Sequence, residues 1–234
     1  FLSSLEDSGC VSRKTGWLPL HVAVEREGRL VGVAPCYLKS HSQGEYVFDH
    51  GWADAYERAG GSYYPKLQVS VPFTPVTGPR FLVAPGQAPD EAAAALAAGL
   101  RALRQKVEAS SIHVTFMRER EWEQAGSLGF LQRTDQQFHW ENEGYAGFED
   151  FLGALASRKR KAIRRERRDA LADGIAIEHV TGRDITQAHL DAFYEFYVDT
   201  GSRKWGRPYL NRRFFSLVAD AMPERILLVM ARRA

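Results

Sequence analysis

The alternation of apolar and polar positions predicts most elements in the first half of the chain. LHVAVEREGRLVGVAPCYL predicts two strands joined by a turn at Glu27 and Gly28. Further strands are predicted for KLQVSVPF, IHVTFM and FLQRTDQQFHWEN, and helices for EAAAALAAGLRALRQKVEAS and EREWEQAGSLGF. Asp90 is expected to cap the first of these helices. Strands that alternate with helices indicate an α/β protein.

A similar pattern starts again at Tyr145. Apolar residues recur at near-helical spacing from Phe148 to Ala172, which predicts one long helix closed by Gly174. IAIEHV predicts a strand, ITQAHLDAFYEFYVDTGSRK and NRRFFSLVADAMP two helices, and RILLVMARR a last strand. Because an unpaired apolar edge promotes aggregation, we expect the partner of this strand to lie beyond Ala234.

The two ends of the chain contain a faint repeat. FLSSLEDSG followed by LHVAVEREG has the same order of features as FFSLVADAMP followed by ILLVMARRA. The repeat predicts two similar lobes, at residues 1–143 and 144–234, of which the second is incomplete. Since the chain opens on Phe1 and not on methionine, we also expect it to be a fragment.

The positive charge of the chain is concentrated in one segment. Arg158 to Arg168 contains eight of the 31 basic residues and one of the 29 acidic residues, so the rest of the chain is net acidic. Like charges at helical spacing repel one another, and a bound polyanion would relieve this repulsion. We therefore favour an anion site on this helix; the alternative is a helix face that is merely solvated. The residues expected to bind a polyanion are Arg158, Lys161, Arg164, Arg165 and Arg168.

Composition excludes several other classes of protein. No apolar stretch reaches the roughly 20 residues that a membrane span needs, and nothing resembles a signal peptide, so the expected location is the cytoplasm. Cys10 and Cys36 are too few for a disulfide framework or a zinc site. The sequence contains neither GxSxG nor a phosphate-binding P-loop, which leaves direct transfer of a group without a covalent enzyme intermediate.

The order of elements, with LGF closing the helix before the strand at Phe130, resembles the Gcn5-related N-acetyltransferase superfamily. The runs RKRKAIRRERRDALADGIAIE, LDAFYEFYVDTGSRKWGRPY and ILLVMAR are similar to the Fem-like branch, whose members are labelled peptidoglycan biosynthesis or recognition proteins. The resemblance implies tandem acyl-CoA N-acyltransferase lobes, each a mixed, largely antiparallel sheet flanked by helices.

The resemblance also implies an activity, the transfer of an acyl or aminoacyl group onto an amine acceptor such as a cell-wall precursor. The donor would be acyl-CoA or an aminoacyl-tRNA, with no tightly bound cofactor and no metal. The alternative is a non-catalytic protein on the same fold that binds RNA or another polyanion. The sequence does not choose between RNA and a diphosphate-bearing acceptor as the partner of the basic helix.

Three segments supply candidate site residues. Asp49 is the expected general base, with Glu195 and Asp199 as rivals, because transfer to an amine releases a proton. A proline-rich loop is predicted around Pro72, Pro75 and Pro79. It is expected to form a substrate site or to pack on the core, and its candidate residues are Tyr64, Lys66, Phe73, Thr74, Thr77 and Arg80. Beyond the helix that ends near Gly201, a ligand-closing loop or a helix cap is expected at Arg203, Lys204 and Trp205.

One departure from the superfamily concerns the donor. Members of the superfamily hold the pyrophosphate of the donor on backbone amides of a loop of the form RxxGxG/A. The nearest segment here, RFLVAPGQAPDEA, contains one glycine, Gly86, and its Pro85 and Pro89 lack the backbone N–H. We therefore expect the donor site to lie beyond Ala234 and the chain alone to be catalytically silent.

Overall fold

The computed structural model describes residues 1–172, 174–204 and 206–233 and shows a mixed α/β fold. The chain divides into two compact units. Unit 1 contains Phe1–Arg133 and Leu190–Ala221, and unit 2 contains Thr134–His189 and Met222–Ala234. The predicted lobe boundary between residues 143 and 144 stays a prediction.

Unit 1 holds two sheets and most of the helices. Its strands are β1 (Trp17–Pro19), β2 (Val22–Arg26), β3 (Arg29–Ala34), β4 (Cys36–Lys39), β5 (Lys66–Val69), β6 (Leu82–Val83) and β7 (Ile112–Val114). Its helices are α1 (Leu2–Asp7), α2 (His50–Arg58), α3 (Pro89–Lys106), α4 (Glu119–Ser127), α7 (Gln187–Arg203, from Leu190 onward) and α8 (Arg212–Ala221).

The two sheets are largely antiparallel, as predicted, and the larger one is mixed. The four-stranded sheet has the order β1-β4-β5-β7, in which only β5 and β7 are parallel. The three-stranded sheet has the order β2-β3-β6 and is antiparallel throughout. The predicted hairpin at Glu27 and Gly28 is confirmed, and both residues have the positive φ that such a turn requires.

Helix α3 covers the apolar face of the sheets and forms the core of unit 1. Ala93, Leu96 and Leu100 lie on one side of this helix and pack against apolar side chains such as Leu67. The expectation that Asp90 caps α3 is wrong. The helix begins one residue earlier, at a proline that needs no amide partner, and the Asp90 carboxylate accepts a hydrogen bond from Gln124 Nε2 (2.8 Å).

Unit 2 contains two helices where one was predicted. These are α5 (Phe148–Ala154) and α6 (Ser157–Ala170), separated by two residues with extended backbone. Gly153, a poor helix former, precedes the break. The Arg160 guanidinium donates to the carbonyl oxygens of Leu152, Gly153 and Leu155 at the C-terminal end of α5.

The prediction of a strand for FLQRTDQQFHWEN is also wrong. Residues 130–142 have no regular secondary structure, and residues 131–142 are exposed, since no strand in the described part of the chain lies beside them to satisfy a ladder.

The last strand has a partner inside the chain, which corrects the expectation of one beyond Ala234. Strand β9 (Leu227–Arg233) pairs antiparallel with β8 (Ile175–Thr181) along the whole length of both. Because α7 and α8 separate the two strands along the chain, the local sequence pattern does not reveal their pairing. Among the described residues, no helix is long and apolar enough to cross a bilayer.

A cavity in the core should measure how much α3 stabilises unit 1. We expect Leu96→Ala to lower the free energy of unfolding by about 2–5 kcal/mol, because Leu96 is fully buried between the helix and the sheets. Urea denaturation followed by circular dichroism measures this change. Leu82→Ala, on an exposed side chain of the adjacent strand β6, is the control and should cost less than about 1 kcal/mol. A similar small loss for Leu96→Ala would contradict the packing described.

Candidate functional site

The four-stranded sheet has two buried faces of opposite character. Apolar side chains of β4 and β5 point toward α3. The alternate positions Tyr37, Lys39, Lys66 and Gln68 form the opposite face, and each of these four residues is 0% exposed. A polar face on a sheet normally contacts water. Here residues of the segment 40–64 contact it instead, so its charges must be satisfied inside the protein.

Lys66 lies at the centre of a buried charge network. Its ammonium Nζ donates to Asp49 Oδ2 (2.5 Å), Glu45 Oε2 (2.8 Å) and Ser42 Oγ (2.8 Å). Asp49 Oδ2 also accepts a hydrogen bond from the Tyr63 hydroxyl (2.7 Å). Three different protein groups thus replace the water that Lys66 loses on burial.

Lys39 is the second buried cation of this network. Its Nζ lies 3.5 Å from the centroid of the Trp17 ring, 3.2 Å from the Gln43 carbonyl oxygen to which it donates, and 3.8 Å from Glu45 Oε1. Burial lowers the pKa of Lys39 to about 7, and burial also raises the pKa of Glu45. The ion pair of Lys39 with Glu45 is longer than that of Lys66 with Glu45. Lys39 is therefore the lysine that can lose its charge near neutral pH.

Asp49 lies at the N-terminal cap of α2. Burial alone would raise its pKa, but hydrogen bonds, the largest from Lys66, outweigh burial and hold the pKa of Asp49 at about 2. With 1% of its surface exposed, the carboxylate is an ion-pair partner of Lys66. Its role as general base stays a prediction, and these surroundings do not favour it because an effective base has a pKa near the working pH.

A small pocket adjoins the network. Its volume is about 120 Å³, and its lining consists of Cys10, Thr15, Trp17, His41, Gln43, Phe73, Pro208 and Tyr209. The Lys39 ammonium contacts the Trp17 ring and the Gln43 backbone, which both line the pocket. The buried network thus holds these two residues of the pocket wall in place. A space of this size admits a group of a few heavy atoms, such as the amine end of a side chain.

The backbone of the pocket wall is held in an unusual conformation. Phe73 and Tyr46 both have positive φ, 63° and 56°, which is uncommon for bulky residues. A Cβ atom on Gly44 would lie 2.7 Å from the Phe73 ring, so only glycine leaves room for the ring at this position. The Phe73 ring in turn stacks on Tyr209, with centroids 4.9 Å apart and an interplanar angle of 9°.

His41 is neutral at physiological pH. Its Nε2 lies 3.1 Å from the Thr15 carbonyl oxygen, and its Nδ1 accepts a hydrogen bond from the Gln43 amide. Burial lowers its pKa, and the charge of Lys39 adds to this effect. Both ring nitrogens are engaged, so His41 positions the pocket wall and does not serve as a free base.

The residues predicted around the proline-rich loop reach different places. Lys66 belongs to the network, and the Tyr64 hydroxyl joins its edge at Ser42 (2.7 Å). Phe73 lines the pocket, as a substrate-binding residue should. These three residues thus gather around one site.

The other loop residues do not gather there. The buried Arg80 guanidinium donates to the carbonyl oxygens of Val76, Pro79 and Thr115, so it holds the loop on the core. Thr74 is half-buried and its Oγ1 accepts the Val76 amide (3.3 Å), while Thr77 is exposed.

The residues predicted past the end of α7 lie at the surface. Arg203 pairs with Asp199 one turn earlier in the helix, and Lys204 is exposed. Trp205 lies outside the described residues. The five predicted polyanion-binding residues are all exposed on α6. Acidic residues outside the segment 158–168 partly balance this charge, since Arg164 pairs with Glu149 of α5 and Arg168 approaches Asp169 (3.7 Å).

Sequence reasoning missed the other half of the site. Trp17, Tyr37, Lys39 and Gln68 were not selected, although CYLK and KLQVS alternate apolar and polar residues. That alternation predicts a polar face on the sheet, but it does not indicate that this face is buried. Oxygens of Tyr37, Gln68 and Ser70 on this face have no hydrogen-bond partner among the described residues, which is typical of a site that holds water or ligand.

Replacing Lys66, the central cation, should measure how much the buried network depends on it for stability. We expect Lys66→Met to lower the free energy of unfolding by about 3–5 kcal/mol, because Asp49 and Glu45 then remain buried without their main partner. Lys106→Met, at an exposed lysine, is the matched control and should change stability by less than about 0.5 kcal/mol. Urea unfolding at neutral pH compares the two, and equal losses would contradict a buried network.

The low pKa of Lys39 predicts a pH dependence of stability. Between about pH 7 and the ordinary lysine pKa near 10, the unfolded chain binds a proton at Lys39 that the folded chain does not, so the contribution of Lys39 to the free energy of unfolding rises with pH. From pH 7 to pH 9 the rise is about 2 kcal/mol. Lys39→Met should remove this rise, as measured by urea unfolding at both pH values. An unchanged pH slope in the variant would disprove the assignment.

Comparison with known proteins confirms the resemblance inferred from the motifs. The model of the FemAB-like family, described as peptidoglycan biosynthesis/recognition, matches residues 1–234. A crystal structure of FemX aligns with 94% of this chain and 50% of its own chain, at 17% identity and a TM-score of 0.41, so this chain spans about half the length of that protein. A search of curated proteins gives no match. Since the family model covers every residue, the chain belongs to the FemAB-like family of peptidoglycan biosynthesis/recognition proteins.

Proposed function

We propose that this chain is the acceptor-binding part of a transferase that moves an acyl or aminoacyl group onto an amine of a peptidoglycan precursor. The family supports the acceptor class, because its description is peptidoglycan biosynthesis/recognition. The observation that carries the proposal is the small aromatic pocket beside the buried network of Lys39 and Lys66.

The pocket suits the amine end of an acceptor. Trp17, Phe73 and Tyr209 supply flat apolar walls of the kind that bind the methylene groups and nitrogen of an alkyl amine. The pocket volume of about 120 Å³ admits that end and leaves the rest of a large precursor outside. The precursor must therefore lie across the surface next to Tyr209, which is partly exposed.

The charge behind the wall favours the reactive form of the amine. Only a neutral amine carries the lone pair that attacks an acyl carbonyl carbon. Lys39, when protonated, lies against the Trp17 ring and repels a second ammonium group in the pocket, which lowers the pKa of a bound amine. We infer that Lys39 is a positioning residue that acts through the wall.

The transfer itself requires an activated donor. The amine nitrogen forms a bond to the carbonyl carbon, and the bond between that carbon and the leaving group breaks. The nitrogen releases a proton, which goes to the leaving group or to solvent. The leaving group is the thiol of coenzyme A or the 3′ hydroxyl of a tRNA. Both donors remain in the proposal.

A transfer assay with the natural protein tests this function. The acceptor is a muramyl pentapeptide precursor with a free side-chain amine, and acyl-CoA and aminoacyl-tRNA are supplied in separate reactions. We expect one donor to give a product whose mass increases by one acyl or aminoacyl group. Product from neither donor would contradict the proposal, and tight binding of RNA without turnover would favour a non-catalytic polyanion-binding protein.

Two variants connect the activity to the pocket. Tyr209→Ala should raise KM for the acceptor about tenfold with little change in kcat, because Tyr209 binds the acceptor as a wall of the pocket and takes no part in bond formation or proton transfer. Tyr56→Ala removes an equally exposed tyrosine from α2 and should leave both constants unchanged. Equal constants for wild type and Tyr209→Ala would place the acceptor elsewhere.

A further inference from the structure

Helix α6 in unit 2 presents positive charge on one side. Successive residues of a helix are rotated by about 100°, which places Arg158, Lys161, Arg164, Arg165 and Arg168 within an arc of about 120°. This arc contains no acidic residue. None of the 14 described residues of α6 is buried, so the helix projects from the unit.

The neighbouring side of the helix fixes it to α5. Arg160 donates to the carbonyl oxygens at the end of α5, Arg164 pairs with Glu149, and the Arg167 guanidinium lies 4.1 Å from the centroid of the Phe148 ring. The basic arc is thereby held rigidly next to the surface of α5. Its remaining charges face solvent.

An exposed aromatic surface adjoins α6 where Arg167 contacts the Phe148 ring. An open pocket of about 510 Å³ is lined by Trp140, Asn142, Tyr145, Ala146, Gly147, Phe148 and Phe151. Trp140 is 67% exposed, and the nearby Phe138 is 93% exposed. Large apolar side chains at this exposure cost free energy in water and commonly mark a binding surface.

We propose that this surface of unit 2 docks on an anionic phospholipid bilayer. The basic arc of α6 contacts the phosphate headgroups, and Phe138 and Trp140 enter the interface beside them. Attraction of several lysine and arginine residues to an anionic leaflet, together with interfacial aromatic rings, suffices for reversible attachment. This attachment does not depend on the transfer reaction proposed above.

The aromatic geometry favours a bilayer over single-stranded RNA as the occupant. RNA-binding surfaces offer free ring faces on which bases stack. Here the Trp140 and Tyr145 rings pack edge-on to Phe151, at interplanar angles of 85° and 73°, and Arg167 occupies a face of Phe148. The cluster is thus a compact apolar projection next to positive charge, which is the arrangement of an interfacial membrane anchor.

Vesicle binding tests the proposal. The full chain is sedimented with vesicles of phosphatidylcholine alone and with vesicles of equal parts phosphatidylcholine and phosphatidylglycerol. We expect at least about tenfold tighter binding to the charged vesicles. A first variant replaces four residues of the arc by glutamine, at Arg158, Lys161, Arg165 and Arg168, and should lose this preference. A second variant, Phe138→Ser with Trp140→Ser, should lose the binding that persists at high salt, where electrostatic attraction is screened.

A control variant removes the same charge from exposed sites of unit 1 and should retain the preference. It replaces Lys14, Arg58, Arg104 and Lys106 by glutamine. Circular dichroism verifies that each variant is folded. Four results would overturn the proposal: no preference for charged vesicles, equal losses in the arc variant and the control, an aromatic variant that behaves as wild type at high salt, or tighter binding to poly(U) RNA than to charged vesicles at the same salt.

Discussion

Burial of the Lys66 ammonium group constrains the whole architecture of unit 1. Removing such an ion from water costs several kcal/mol unless anions and hydrogen-bond acceptors replace the solvent. Asp49, Glu45 and Ser42 provide them, and all three come from the segment between β4 and β5. The segment must therefore close over the polar face of the sheet, and α2 begins where Asp49 is fixed.

The pocket follows from the same constraint. Closing the segment brings Gln43 and Gly44 beside Trp17, where Lys39 makes its own contacts and where Gly44 leaves space for the Phe73 ring. Tyr209 then completes the wall by stacking on Phe73. The charges lie behind this wall and not within the pocket, so they set its shape and its electrostatic potential without being available to a ligand as free groups.

The sequence predicts the parts of this structure that depend on local patterns. The hairpin at Glu27 and Gly28 and helix α3 follow from alternation and helical spacing, and the runs around RKRKAIRRERRDALADGIAIE indicate the family. What it could not predict depends on contacts between distant segments. The pairing of β8 with β9 joins residues more than forty positions apart, and whether the polar side of β4 is wet or buried depends on where residues 40–64 fold.

The candidate site shows the same division. Lys66, Phe73 and Asp49 could be selected from the sequence because they lie in a loop-rich region with aromatic and charged residues. Arg80 was selected for the same reason, yet it serves the backbone of its own loop, since a guanidinium satisfied by three carbonyl oxygens cannot be distinguished in sequence from a free one. Trp17 and Lys39 were missed because each is ordinary in its strand, and only their contact across β1 and β4 makes a site.

The central claim is that the pocket beside the buried lysine network receives the amine of a peptidoglycan precursor. A crystal structure of the chain with a muramyl pentapeptide precursor tests it most directly. We expect density for the side-chain amine in the pocket that Trp17, Phe73 and Tyr209 line, with the network of Lys39 and Lys66 unchanged behind it. Density for the precursor at another surface, with this pocket empty, would contradict it.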